Sequence, residues 1–253
     1  MPRPIAGALL TLTLITTTPA VADELMVLCP RGVQAPLAAL AERFGGDSGH
    51  RVRFAFGTAG AVARRAAEGE AADVVITSAA ALGDLLERGV ATAATRVDLG
   101  GVGVGIAVKA GAPRPDVATA EALAGVLLAA SSIGYADPAR GGQGGTHFAS
   151  VVERLGLTEA LRPRTRLFPE GLQALEGVAA GELALAAAPI SEILPLLGLA
   201  LAGPLPPPLQ ARLAYAAALL AGARTPDGSR AFLRFLATPA ARAILTRAGL
   251  EQD

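Results

Sequence analysis

The sequence predicts an α/β fold of two lobes joined by two crossover strands, and three observations predict it. Short apolar strands alternate with Ala- and Leu-rich helices from residue 23 onward. Two longer apolar strands, near residues 102–108 and 212–219, bracket a central block, which is how one lobe can be inserted into another. Apolar residues make up 52% of the 253-residue chain, enough for a sizeable core. The expected division is residues 23–105 plus 218–253 for the first lobe and 106–217 for the second.

The elements follow in order. Residues 25–28 read as a strand. Residues 36–44 read as a helix, with Leu37, Leu40, Ala41 and Phe44 on one face. The alternating Arg-Val-Arg-Phe-Ala-Phe of 51–56 is a half-buried strand, and a turn at 57–60 leads to a helix over 61–68 closed by Gly69. Residues 74–77 are a buried strand, followed by helix 80–88 and Gly89. Strand 102–108 ends in an Ala-Gly-Ala-Pro turn. Thr119 caps a helix running to about Leu128, and strand 132–136 enters a Gly-rich loop over 137–145. A helix over 147–155, strand 165–168, helix 172–180 and strand 183–187 continue the alternation. Residues 204–208 are a surface connector and 212–220 a long apolar strand. Helices over 226–236 and 239–248 close the chain, each with Pro near its start.

Residues 1–22 read as a secretory signal: Arg3, an apolar run over 5–15 too short to span a bilayer, and the small-x-small site Ala20-Val21-Ala22. The expected product is an exported protein starting at Asp23, with Cys29 a small buried residue at a strand end.

Composition excludes several classes. A formal net charge of zero lacks the basic footprint of a nucleic-acid binder. One cysteine and two histidines leave no disulfide framework and little for a metal site. No Gly-x-Ser-x-Gly elbow is present. The glycines of 100–105 enter a strand rather than a helix, unlike a dinucleotide loop. These readings call for no cofactor, no metal and no nucleic acid.

Ligands of open α/β sheets bind beyond the carboxyl ends of the strands. The loops there are 29–34, 57–60, 77–78, 137–147 and 169–171. Several run into helix N-termini, where free amides and the helix dipole favour an anion. The most informative is 137–147, whose four glycines admit close backbone approach and which ends on Thr146 and His147 at an expected helix start. Arg31 could grip a carboxylate in bidentate fashion. Thr58 with the amides of Ala59 and Gly60 could form an oxyanion cradle. Ser191-Glu192 reads as a helix cap.

Phe56-Gly57-Thr58-Ala59-Gly60 before a helix, Ala72-Asp73-Val74-Val75-Ile76-Thr77, Asp137-Pro138, the Ser191-Glu192 region and Phe232-Leu233-Arg234-Phe235-Leu236 resemble the periplasmic molybdate-binding protein family. These are the type II solute-binding proteins of ABC importers. The resemblance covers nearly the whole chain after residue 22. It implies a periplasmic, monomeric protein that captures a small anion between two lobes, closes by a hinge motion and delivers its ligand to a membrane permease. It also implies that three ligand-binding hydroxyls of the family are missing: the positions are Gly32, Ala59 and Pro189. Ser78, Gly144, Gly145 and Gly171 match positions that donate mainly backbone amides. With Arg31, Thr146 and His147 on offer, an organic carboxylate is expected in preference to molybdate. The Gly141-Gly142-x-x-Gly145-x-His147-Phe148 pattern is similar to a divergent branch that includes aconitate isomerase. The alternative is therefore an isomerase moving a proton along a small tricarboxylate, with His147 as base and Arg31 as carboxylate clamp. A binder is the favoured reading over an enzyme.

Overall fold

Strand alternation gives the first lobe its layers. In the computed structural model, which describes residues 23–252, β1 (Glu24–Pro30) sends Leu25, Val27 and Cys29 to one face and Leu28 to the other. The signal segment expected over residues 1–22 lies outside the described residues. Both faces of β1 are covered. α1 (Gln34–Ser48) lays Leu37, Leu40 and Phe44 on the first face. β2 (Arg51–Gly57) leads to α2 (Ala59–Ala67), and β3 (Val74–Ser78) to α3 (Ala79–Glu87). Those two helices place Val62, Ala66, Leu82 and Leu85 on the opposite face. Cys29 is fully buried, and burial pushes its thiol well above the usual range.

β4 (Val97–Val102) is separated from β5 (Val104–Lys109) by Gly103 alone. The chain then forms α4 (Ala120–Ala129), β6 (Ile133–Ala136), α5 (Gln143–Arg154), α6 (Thr158–Leu161), β7 (Thr165–Phe168), α7 (Gly171–Ala180), β8 (Leu185–Pro189), α8 (Ile190–Ile193) and β9 (Leu199–Pro204). It returns as β10 (Leu213–Leu219) and closes with α9 (Pro226–Leu236) and α10 (Pro239–Arg247). The five-stranded sheets have orders β2-β1-β3-β10-β4 and β7-β6-β8-β5-β9. Each has three parallel strands next to an antiparallel pair.

Two crossover strands join the lobes. The first is β4–β5, interrupted at Gly103, rather than one strand starting at residue 102. The second is β9–β10, interrupted over 205–212, and its β9 half is not apparent in the sequence. Gln210 ties the two crossings together. Its Oε1 accepts from the Val104 amide at 2.9 Å and its Nε2 donates to the Val104 carbonyl at 2.9 Å.

Asp73 explains one sequence motif. Its carboxylate accepts from the amides of Met26 (2.8 Å), Arg224 (2.7 Å) and Thr225 (2.9 Å), tying β1 to the segment entering α9. Burial pushes its pKa up, but the three amides outweigh that and hold it below the usual value.

Candidate functional site

The carboxyl ends of β1, β2, β6 and β8 face one another across a cavity of about 40 Å³. That is room for roughly three waters. The first lobe contributes Pro30, Arg31 and Gly32 after β1, Gly57, Thr58 and Ala59 after β2, and Tyr215 from β10. The second contributes Gly142 to Gly145, Glu170, Gly171, Ala187 to Pro189 and Glu192.

Local sequence sets this geometry. Thr58 caps α2, Gly142 caps α5, and Glu170 caps α7 in a capping box with Gln173. Three helix N-termini therefore point at one cavity. The first-turn amides of Gln143, Gly144 and Gly145 have no acceptors within α5. The glycines are needed for close approach. A Cβ on Gly144 would lie 2.8 Å from Pro189 Cδ, and one on Gly145 would overlap the Ala136 carbonyl.

Arg31 is the cation of the cavity wall. Its Nε pairs with Glu170 Oε2 across the lobes, its Nη1 donates to Gln34 Oε1 at 3.1 Å, and its guanidinium lies 5.6 Å from the centre of the Phe56 ring. Besides Arg31 Nε, which has only its ion pair with Glu170, two polar atoms of the wall are buried without a hydrogen-bond partner: Gln143 Nε2 and Glu192 Oε2. Burial, reinforced by the Glu170 charge and opposed by Arg31, pushes Glu192 up to about 7. Tyr215 is pushed well above its usual range by burial, then by Glu192 and Cys29.

Seven of the expected site residues line the cavity: Arg31, Gly32, Thr58, Ala59, Gly144, Gly145 and Gly171. Four do not. Gly60 is not part of the lining, and its amide donates to Gly141 O at 3.0 Å. Ser78 caps α3, accepting from the Ala81 amide at 3.1 Å. Thr146 and His147 also lie outside the lining. α5 starts at Gln143, four residues before the expected start, so both fall inside the helix. Thr146 is exposed, and His147 donates from Nε2 to the Leu209 carbonyl at 2.8 Å, outside the cavity lining. The Thr58 hydroxyl is also engaged, donating to Arg140 O at 2.5 Å and accepting from the Ala61 amide at 3.2 Å.

Sequence reasoning did not assign Gln143, Glu170, Glu192 and Tyr215. The first two lie in loops notable in the sequence for their glycines, and Glu192 reads as part of a cap. Tyr215 was the available signal: it carries the only hydroxyl in the apolar run 213–219. Among the described residues no group of His, Cys, Asp and Glu could hold a metal ion, and no helix is long and apolar enough to cross a membrane.

The chain is similar to known proteins along nearly its whole length. It is 29% identical over 262 residues to an aconitate isomerase from a Pseudomonas species, covering 99% of this chain and 96% of that protein. Its fold resembles the periplasmic molybdate-binding protein of Azotobacter vinelandii, with a TM-score of 0.76, 20% identity and coverage of 90% and 99% of the two chains. It also resembles the sulfate-binding protein SubI of Mycobacterium tuberculosis H37Rv, with a TM-score of 0.68, 17% identity and coverage of 90% and 86%. A family model matches residues 25–251, and the chain belongs to that family, the bacterial extracellular solute-binding proteins.

Proposed function

We propose that this protein captures a small organic anion bearing a carboxylate between its lobes and hands it to the permease of an ABC importer. The observation that carries this reading is the composition of the cavity wall. A guanidinium, an unpartnered amide donor on Gln143 and three helix N-termini converge on it. Meanwhile Ala59 and Pro189 present no hydroxyl to a tetrahedral oxyanion, and the hydroxyl beside Gly32 is the phenol of Tyr215. A planar carboxylate matches the fork of Arg31, where it would take over from Glu170. Export follows removal of residues 1–22 after Ala22, into the periplasm. The two lobes close as a hinge about the two crossings tied by Gln210. The small volume of the cavity fits a closed state that must open to admit a tricarboxylate.

The full-length similarity to an aconitate isomerase supports a second reading, proton transfer along a bound tricarboxylate. A base takes a proton from the methylene beside the double bond and returns it at the far end of the allyl system. With the His147 ring held by Leu209 O, the cavity group able to exchange a proton near neutrality is Glu192.

Thermal unfolding in the presence of molybdate, tungstate, sulfate, citrate and cis- and trans-aconitate tests both readings. A ligand at about a hundred times its Kd adds roughly 2.7 kcal/mol and raises the midpoint by several degrees. Stabilisation by a carboxylate is the expected result. Stabilisation by molybdate or tungstate alone overturns the carboxylate assignment. NMR of the stabilised sample shows whether cis- and trans-aconitate interconvert.

A further inference from the structure

We propose that Glu192 takes up one proton when the cavity takes up an anion, so that its protonated carboxyl donates a hydrogen bond to the ligand. The inference rests on the anion-capture reading and names a group that controls it.

Position comes first. Glu192 lies on α8, directly after β8, and its carboxyl end runs along the cavity wall. Its Oε2 is buried without a partner and lies 2.6 Å from where a Cβ on Gly171 would be, over the start of α7. Its Oε1 lies 3.5 Å from where a Cβ on Gly32 would be, on the other lobe. The carboxyl therefore spans the gap in which a ligand would sit, and one of its oxygens has no protein partner to satisfy it.

Charge decides its protonation. The groups facing Glu192 are Arg31 from the turn before α1, Glu170 from the cap of α7 and Tyr215 from β10. The other elements packed on α8 bring no further charge to it. β8 and β9 carry no ionisable residue. The one ionisable side chain of β5, Lys109, lies at the far end of that strand, against Gly181. The charges of α1 begin at Glu42, eight residues beyond the start of the helix, and Glu176 lies midway along α7.

With Glu192 ionised, the wall holds two carboxylates against one guanidinium, and a second anion would enter a negative site. With Glu192 protonated, the wall is neutral and gains a donor beside the Gln143 amide. Burial and Glu170 already favour the protonated form near neutral pH. An arriving anion acts in the same direction as Glu170 and completes the uptake.

Calorimetric titration of the purified protein tests this, with trans-aconitate and molybdate as probes because both hold constant charge between about pH 7 and 9. Each pH is run in two buffers of different ionisation enthalpy, which counts protons without a variant. The expected result is net uptake approaching one proton per anion bound above pH 7. The Kd rises toward tenfold per pH unit over the same range. In Glu192→Gln the proton uptake disappears, and the variant binds at pH 9 at least tenfold more tightly than the unsubstituted protein. Binding of either probe with no proton uptake and a flat Kd overturns the inference and leaves the anion-capture reading intact. A pH slope that survives in Glu192→Gln assigns the proton to another group and also overturns it. No binding of either probe at pH 6 or pH 8 removes the anion-capture reading and this inference with it.

Discussion

The phenol oxygen of Tyr215 stands where a side chain on Gly32 would have to be. A Cβ on Gly32 would overlap that oxygen and lie 3.3 Å from Tyr215 Cζ. The two residues are far apart in sequence, one in the turn after β1 and the other on β10. The serine that the molybdate-binding resemblance implies at residue 32 is thus not simply missing. A hydroxyl from a different strand occupies its space.

A serine restored at that position should therefore destabilise the protein. Gly32→Ser is expected to lose about 1–3 kcal/mol through overpacking. Tyr215→Phe removes the overlapping oxygen and makes room for the new side chain. The double variant should be more stable than the sum of the two single losses by at least about 1 kcal/mol. Urea unfolding of the four proteins measures this coupling. Strictly additive losses would mean that the two groups do not compete for the same space.

Glu192 predicts the pH dependence of stability without ligand. Its carboxyl has an ordinary value of 4.5 and is raised to about 7 in the fold. Below the lower value both states are protonated and Glu192 contributes nothing to the pH dependence. Between the two values the folded state holds a proton that the unfolded chain has released, so stability falls as pH rises. Above 7 the accumulated loss is about 3 kcal/mol. Glu192→Gln should remove that loss, raising the melting temperature at pH 8 by roughly 5–10 °C relative to its effect at pH 4. An equal shift at both pH values would place the titration elsewhere.

The layers of the fold were legible because hydrophobic periodicity records burial. β2, β7, α4 and α9 lie close to where alternation and helix caps put them. β9 was hidden because its Leu-Ala-Leu-Ala-Gly-Pro reads as a loop until it pairs beside β5. The glycines of the cavity wall were legible as a place of close approach, but not what approached. In the sequence Gly32 reads as a missing hydroxyl and Gly171 as an amide donor, whereas Tyr215 of β10 and the Glu192 carboxyl of α8 approach them in the fold. The start of α5 was misplaced because Gly144 and Gly145 are poor helix formers. Packing against Ala136 and Pro189 overrides that propensity and places His147 inside α5, outside the cavity lining.

One of the contacts between the two lobes is a backbone approach. The Gly60 amide donates to Gly141 O at 3.0 Å, and beside it Thr58 Oγ1 reaches Arg140 O at 2.5 Å. A Cβ on Gly60 would lie 3.0 Å from Gly141 Cα, which is backbone and cannot rotate aside. Gly60→Ala should hold the lobes apart while leaving each sheet intact. The expected outcome is about tenfold weaker anion binding, equivalent to about 1.4 kcal/mol taken from the closed state. Small-angle scattering should show a larger radius of gyration in the presence of ligand. Unchanged affinity would mean that ligand binding does not require this contact.

His147 separates a structural role from a catalytic one. Its Nε2 donates to the carbonyl of Leu209, in the second crossing between the lobes, and Arg154 from the same helix donates to Pro208 O at 2.8 Å. Both side chains of α5 thus fasten the return crossing, and the imidazole is turned from the cavity. His147→Leu leaves the Leu209 carbonyl without its donor and should cost about 1 kcal/mol of stability. Anion affinity, and any interconversion of cis- and trans-aconitate, should stay within about twofold of the unsubstituted protein, since the ring is not in contact with the cavity. A loss of turnover of a hundredfold or more, with the melting temperature unchanged, would instead make His147 the proton carrier. It would also require the loop before α5 to rearrange when the substrate binds.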